Sequence, residues 1–368
     1  MTQRLRIEGR GPVAIALRLF LARQGFAAKS ITHDTFIRQI PAGVAARALA
    51  LSLGSTHLLS RIVALPDCAP IHTVDVSLVQ RAGRTRFHAA DLDSPTLGCV
   101  VRYATLHEAL LEALQRVGAA AHHPSPSSLP PSPSVGEADE ILIRADGDPR
   151  SPSARTLDFG QTALLAEVVV ERDALGVAFE HFTHEGPLAL LPLPEARRRA
   201  VVWCASPQQA ERRAQLAPHE FEAELLATFG SALGTMRLAS ERHQAPLQRR
   251  LAQRDDDPRR VAIGNAAQAL HPVAGQGLNL GLRDAFELAQ ELGGAHARGA
   301  PLEDAIARFR RRRMADRAAT VGVTDTLARL FRWRALAPIQ SVAFDALDWS
   351  APLRDRFAKA LMFGLRSG

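Results

Sequence analysis

Arg260-Val261-Ala262-Ile263-Gly264-Asn265-Ala266-Ala267-Gln268-Ala269-Leu270-His271-Pro272-Val273-Ala274-Gly275-Gln276-Gly277-Leu278-Asn279-Leu280-Gly281-Leu282-Arg283-Asp284-Ala285 is the stretch on which the reading of the chain turns. It opens on a short apolar run, Val261 to Ile263, of the kind that forms a buried strand. A loop with Pro272 and the close glycines Gly275 and Gly277 follows. An amphipathic segment from Leu278 to Leu292 then reads as a helix, closed by Gly293-Gly294. A glycine-flanked loop feeding a helix N-terminus lets backbone N–H groups approach an anion, and the helix dipole favours negative charge there. The stretch is therefore a candidate site for an anionic or electron-rich cofactor. The plainer alternative is a strand–loop–helix corner whose glycines only relieve crowding.

The N-terminus supplies a second such corner. Leu5 to Glu8 reads as a short strand, Gly9-Arg10-Gly11-Pro12-Val13-Ala14 as a turn, and Val13 to Gln24 as a helix ended by Gly25. Strand, Gly-x-Gly-x-x-Ala and helix is the setting that a dinucleotide fingerprint requires. Gly9 allows the tight turn, Gly11 lets a pyrophosphate approach the backbone, and Ala14 replaces the third glycine. One element is missing from this reading. The second strand of such a unit ends in an acid that holds the adenosine ribose. Here Ala28 to Ile31 runs into Thr32 and His33, and the nearest acid, Asp34, lies out of register.

The string from Arg260 to Ala285 resembles the second flavin fingerprint of the single-component FAD-dependent aromatic hydroxylases, most closely their ubiquinone-biosynthesis branch. The resemblance spans almost the whole chain and is strongest from Gly176 to Leu330. It implies a para-hydroxybenzoate-hydroxylase-like α/β fold: a Rossmann-like FAD-binding domain, an inserted α+β substrate domain and a C-terminal helical region. It implies FAD as cofactor and NAD(P)H as co-substrate. NAD(P)H would reduce the flavin, O2 would add to it, and one oxygen atom would pass to an activated ring.

Residue roles come with the same resemblance. Gly264, Gly275, Gln276, Gly277, Leu278 and Asn279 would surround the flavin, with Pro272 against the ring face and the helix N-terminus aimed at its pyrimidine edge. Pro272, Gly275 and Gln276 would position the reacting flavin, with no acid or base side chain assigned. Asn265 stands where most of the wider family has an aspartate on the ribityl chain; an amide keeps a donor and an acceptor but loses the charge-assisted bond. Arg47 resembles the arginine that reaches the flavin side of the cofactor, and Arg102, in the segment resembling the element where the chain returns to the cofactor domain, would lie near the isoalloxazine unless it is a solvated arginine. Asp146-Gly147, after the strand Glu140–Arg144, resembles the middle motif beside the pyrophosphate, although Arg150 and Arg155 miss its register. Taken alone, Asp-Gly is an ordinary turn.

Alternating apolar and polar residues predict strands over His72–Leu78, Thr85–Ala89, Thr162–Val170 and Ala200–Cys204, and a pair within Val177–Leu193. Two cap helices follow, Ala210–Leu216 and Pro218–Phe229. His181 and His184 invite a catalytic reading, but polar surface positions on an alternating strand explain them more simply. His122 to Gly136 is rich in Pro and Ser and reads as a linker without a core; the His122-His123 pair lacks further ligands, so no metal site is expected.

The expected organisation is FAD-binding segments over 1–70, 97–160 (with the Pro/Ser-rich loop 122–136) and 247–300, substrate-domain segments over 71–96 and 161–246, and C-terminal helices over 301–368. Composition agrees with a globular chain: of 368 residues, 46% are hydrophobic and 23% charged. The net charge of +7, nearly all from arginine, would suit nucleic acid or an anionic membrane surface. No nucleic-acid module is recognisable, so nucleic acid is not an expected partner. Cys68, Cys99 and Cys204 show neither metal-ligand spacing nor a pairing pattern and read as reduced core residues of a cytoplasmic protein. Arg310 to Arg313 read as a solvated helix face or a binding patch. Phe331, Trp333, Phe344, Trp349 and Phe357 fall in C-terminal amphipathic segments that either close the domain or lie peripherally on the inner membrane or a partner.

The expected reaction is ring hydroxylation of a hydrophobic prenylphenol, with O2 as co-substrate and other ubiquinone-biosynthesis proteins as candidate partners. Two alternatives stand beside it. The chain could be a flavin-poor scaffold in a quinone-synthesis assembly, given the absent ribose acid and the out-of-register middle motif. It could also hydroxylate a soluble aromatic.

Overall fold

The computed structural model describes residues 4–34, 40–45, 47–78, 84–120, 140–147, 155–251, 256–269, 276–314 and 359. In chain order the first half holds β1 (Arg4–Glu8), α1 (Pro12–Arg23), β2 (Ile31–His33), α2 (Ala42–Ala45), β3 (Ala48–Ser52), α3 (Leu53–Leu59), β4 (Ala69–Ile71), β5 (Thr73–Leu78), β6 (Arg84–His88), β7 (Gly98–Arg102), α4 (Tyr103–Ala120) and β8 (Glu140–Arg144). The second half holds β9 (Arg155–Val170), β10 (Val177–Phe182), β11 (Pro187–Pro192), β12 (Arg198–Ala205), α5 (Pro207–Gln215), α6 (Pro218–Phe229), β13 (Met236–Leu238), β14 (His243–Leu251), β15 (Arg260–Ala262), β16 (Gln268–Ala269) and α7 (Gln276–Ala297).

Leu5, Ile7, Ile141, Ile143 and Val261 are apolar and buried, and their strands form a parallel sheet in the order β15-β8-β1-β2. Parallel neighbours need crossover connections. The crossover helix α1 packs against both α7 and α4 and buries Ile15, Leu17 and Leu21 completely.

A nine-stranded sheet runs in the order β16-β14-β9-β12-β11-β10-β5-β6, with β13 also on β9. One face is covered by α6, whose Phe221, Leu225 and Phe229 pack on Phe179, Leu188 and Trp203. Arg213 on α5 lies 4.0 Å over the Trp203 ring and pairs with Glu185 and Glu224 at 2.6 and 2.8 Å, so the cap is held by charge as well as apolar contact. The opposite face meets a small antiparallel sheet, β3-β7-β4, and the start of α3, through Ala69, Val100 and Leu53 packed with Val76, Phe87 and Ala200.

Several elements depart from their expected form. The strand read from Thr162 begins at Arg155, because Gly160, at φ +61°, forms a bulge and lets the strand continue past it. The helix expected to stop at Gly293-Gly294 runs on to Ala297. A Cβ at Gly293 would lie 2.7 Å from Cβ of Gln24, so the glycine serves close packing on the end of α1 rather than termination. The arginine run lies on a helix over 302–314 and is only partly solvated. Arg308 and Arg312 pair with Glu291, Arg310 donates to the Asp257 and Arg260 carbonyls, and Arg313 is buried on Asp284. Cys68 and Cys99 meet across the β4–β7 region; the hydrogen bond between their thiols pulls Cys68 down to about 7 and pushes Cys99 up. The Pro/Ser-rich loop and the aromatic C-terminal segments fall outside the described residues.

His184 is exposed, but in the turn after β10 and not on the strand, and His181 is not a surface residue. Its ring stacks on Phe229 at 4.4 Å and 5°, and its Nδ1 is buried without a hydrogen-bond partner. Burial, opposed by Asp75 and aided by Arg84, pushes the imidazole down to about 4. The folded value lies below the unfolded one of about 6.5, so below that pH the unfolded chain takes up the proton more readily. Stability is therefore full above pH ~6.5 and falls as the pH drops towards about 4. His181→Phe is expected to flatten this dependence, measured as melting temperatures at several pH values in that window; an unchanged slope would assign it to other groups.

Candidate functional site

The parallel sheet ends in a row of turns on one edge. Asp34 follows β2, Gly9 follows β1, Asp146-Gly147 follow β8, and Gly264 follows β15. In open parallel sheets, ligands bind outside the C-terminal strand ends, where connections diverge to opposite faces.

Gly9 has φ +136°, and a Cβ there would stand 2.3 Å from the Ala145 carbonyl oxygen. Only glycine lets β1 leave its sheet this close to β8. Gly11 caps α1 without any side-chain hydrogen bond, and Pro12 occupies the first helical position. A Cβ at Gly11 would meet one atom of the described residues within 4 Å, the Oη of Tyr103, at 3.5 Å. Among the described residues, the start of α1 thus faces open space bordered by one phenol. Ala14 is fully buried, so its methyl is accommodated by the core.

An acid does stand at the end of the second strand, where the sequence reading found none in register. Ala28–Ser30 form a 3-10 turn, which delays β2 to Ile31–His33 and places Asp34 just past the strand end. The Gly9 N–H donates to the Asp34 carboxylate at 3.0 Å, and the Asp34 N–H donates to the Ile7 carbonyl. The difference is one of register: the expected strand began three residues too early.

The second fingerprint is built around Gly264, at φ +57°, whose Cβ position lies 3.3 Å from Val13 and 3.5 Å from the Gly281 Cα. Here the 3-10 turn Gly264–Ala266, α7 and the first turn of α1 come together. The Gly264 N–H donates to Asp284 at 3.0 Å. Asn265 is exposed, with Oδ1 3.6 Å from a Cβ position on Gly277, so its amide lies over the first turn of α7. Leu278 is half-buried against the core. Asn279 is buried, accepts from Ser52 N–H and donates to the Ala50 carbonyl, both at 2.9 Å. Its side chain ties α7 to β3 instead of lining the open edge. Pro272 and Gly275 lie outside the described residues, as does the side chain of Gln276, whose backbone opens α7.

The two arginines part company. Arg47 is exposed ahead of β3, and its carbonyl accepts from the Tyr103 N–H at 2.8 Å. Arg102 points the other way: its guanidinium is held by Glu167 and by Glu195, and Glu167 also accepts from Arg198 at 3.0 Å. It links the small sheet to the large one. Asp146 and Gly147 are exposed on the open edge, with Gly147 at φ +78° and Asp146 3.4 Å from Arg144.

Sequence reasoning passed over three residues of this region: Tyr103, His107 and Asp284. His107 is buried and donates from Nε2 to the Arg10 carbonyl at 3.1 Å, fixing the glycine loop to α4. Position alone could have flagged Tyr103, the chain's single tyrosine, directly after Arg102.

Comparison with known proteins gives the family and the fold. The model of the FAD-binding-domain family matches residues 141–322. Ubiquinone hydroxylase UbiL of Rhodospirillum rubrum is 30% identical over 391 residues, covering 98% of this chain and 90% of that protein. The 3-demethoxyubiquinol 3-hydroxylase of Escherichia coli is 30% identical over 344 residues, covering 84% and 85%. Among solved structures, a mutant form of PqsL from Pseudomonas aeruginosa has the same fold, with a TM-score of 0.72 at 18% identity, covering 93% of this chain and 99% of that one.

Proposed function

This chain belongs to the FAD-dependent ubiquinone-hydroxylase family, and on that premise we propose that it hydroxylates the ring of a polyprenylated phenol in ubiquinone biosynthesis, with NAD(P)H and O2 as co-substrates. FAD, when bound, supplies electron transfer and oxygen activation; the chain binds, orients and shields.

The observation that carries the reading is the open cradle at Gly11. A side chain there would fill the space over α1, and glycine leaves it free for a pyrophosphate in the field of the helix. Asp34 is suited to the adenosine ribose hydroxyls, since a carboxylate can accept from both. Asn265 and the start of α7 are assigned to the ribityl and pyrimidine side, with Pro272, Gly275 and Gln276 beside the ring by family likeness. Arg47 is retained as a cofactor-side cation, and Asp146-Gly147 as the pyrophosphate-side turn. Arg102 is withdrawn from direct contact, because two carboxylates already hold it.

The substrate is assigned to the sheet face that carries Glu167. There Ala189, Val202 and Leu165 stand opposite one another on central strands, yet all three are only half-buried. A partly open apolar row in the middle of a sheet suits a greasy aromatic. No helix among the described residues is long and apolar enough to cross a membrane. A peripheral approach to the membrane that holds a prenylated substrate, from the cytoplasmic side, is part of the proposal. The scaffold alternative loses one of its motives, since an acid, Asp34, directly follows β2.

The test is turnover. Purified protein with FAD, NAD(P)H, O2 and a prenylphenol is expected to form a product one oxygen atom heavier, followed by mass spectrometry. Bound flavin with turnover only on an unprenylated phenol would overturn the substrate assignment.

A further inference from the structure

We propose that the Tyr103 hydroxyl donates a hydrogen bond to the cofactor pyrophosphate, closing from the α4 side the anion site that the start of α1 opens. The proposal rests on the FAD reading given above and adds a ligand that the fingerprint glycines do not supply.

Position comes first. The Tyr103 Oη lies 3.5 Å from where a Gly11 side chain would begin, which puts it at the border of the space above α1. The phenol is also held in register with the loop. Its backbone N–H is bonded to Arg47, its ring stacks on His107 at 5.9 Å and 15°, and His107 is bonded to the Arg10 carbonyl. Loop and phenol are therefore tied to each other through His107.

Chemistry comes second. The hydroxyl finds no hydrogen-bond partner among the described residues, although the side chain is half-buried. A hydroxyl with no partner among these residues is free to donate to a phosphate oxygen, and a hydrogen bond to a charged acceptor is stronger than one between neutral groups. Burial raises the phenol above its ordinary value, and the Arg47 charge only partly opposes this, so the group stays protonated at neutral pH. It is a donor there, which is what an anion requires. The bond formed would be of the short O–H···O⁻ kind. Arg10 and Arg47, both exposed next to the loop, add positive potential to the same space.

Tyr103→Phe removes one oxygen and keeps the ring stack, so the apoprotein is expected to melt as the wild type does. Titration of apoprotein with FAD, read by quenching of flavin fluorescence, is expected to show a Kd about tenfold weaker in the variant, as for loss of one hydrogen bond to a charged group. The phosphorus-31 resonances of bound FAD are expected to shift as well. Equal affinities with unshifted phosphorus resonances overturn this proposal alone. A wild-type chain that takes up no FAD overturns the cofactor reading, and this proposal with it.

Discussion

Gly11→Asp is expected to give a folded but colourless protein. The two halves of that result have opposite physical origins. Gly11 sits at φ −88° and ψ 176°, extended backbone that any residue adopts, and a Cβ there meets only the Tyr103 hydroxyl, at 3.5 Å, among the described residues. The substitution is therefore sterically permitted. Position Gly11 is also the N-cap of α1, which has no side-chain cap of its own. Aspartate is among the best N-caps and gains about a few tenths of a kcal/mol over glycine at that position. The apoprotein should melt at the same temperature or slightly higher. The cofactor should be lost for the same reason, because the carboxylate takes the N–H groups and the space meant for the pyrophosphate. A unit charge about 5 Å from a phosphate, at an effective dielectric constant near 20, repels it by about 3 kcal/mol, a factor on the order of 100 in affinity. Gel filtration with excess FAD, followed by the visible spectrum, checks this. A yellow Gly11→Asp protein would mean that the dinucleotide phosphates do not lie over α1.

The reason this site could be read from sequence at all is that its central demands are backbone demands. Gly9 and Gly264 are fixed by positive φ and by close approach of another backbone, and such requirements leave glycines at fixed spacings. What stayed illegible depended on register or on distant partners. Asp34 was misjudged because a 3-10 turn at Ala28–Ser30 shifts the strand, and local propensity does not distinguish that turn from a strand start. Arg102 and Asn279 carry the right chemistry in the right neighbourhood. Their side chains are nonetheless turned to Glu167 and to β3, partners 65 and 227 residues away. Gly293 was taken for a helix stop because termination and close packing leave the same letter; only Gln24 of a remote helix separates the two. His181 followed the alternation of its strand, but α6 covers the face on which it lies.

Arg313→Met shows the same limit from the energetic side, and it is expected to be the most destabilising of these substitutions. The arginine run looked like a solvated face, yet Arg313 is 1% exposed and its Nε lies 2.6 Å from Asp284, which is 0% exposed. The second carboxylate oxygen of Asp284 holds the Gly264 N–H at 3.0 Å. Helix 302–314, α7 and the second fingerprint turn are thus joined through one carboxylate. Removing the guanidinium leaves a charge in the core that has lost its ion-pair partner, a change that costs about 3–5 kcal/mol. A fall in melting temperature of roughly 4–7 °C is expected for a chain of this size. Loosening the Gly264–Asn265 turn should also weaken FAD, so the loss of flavin is expected to exceed what unfolding alone explains. The pair Arg313→Met with Asp284→Asn separates charge from packing. If the penalty is the carboxylate charge no longer opposed by Arg313, neutralising it should restore more than half of the lost stability. If the double variant is as unstable as the single one, packing of the 302–314 helix dominates, and the carboxylate would have no special part in holding the flavin turn.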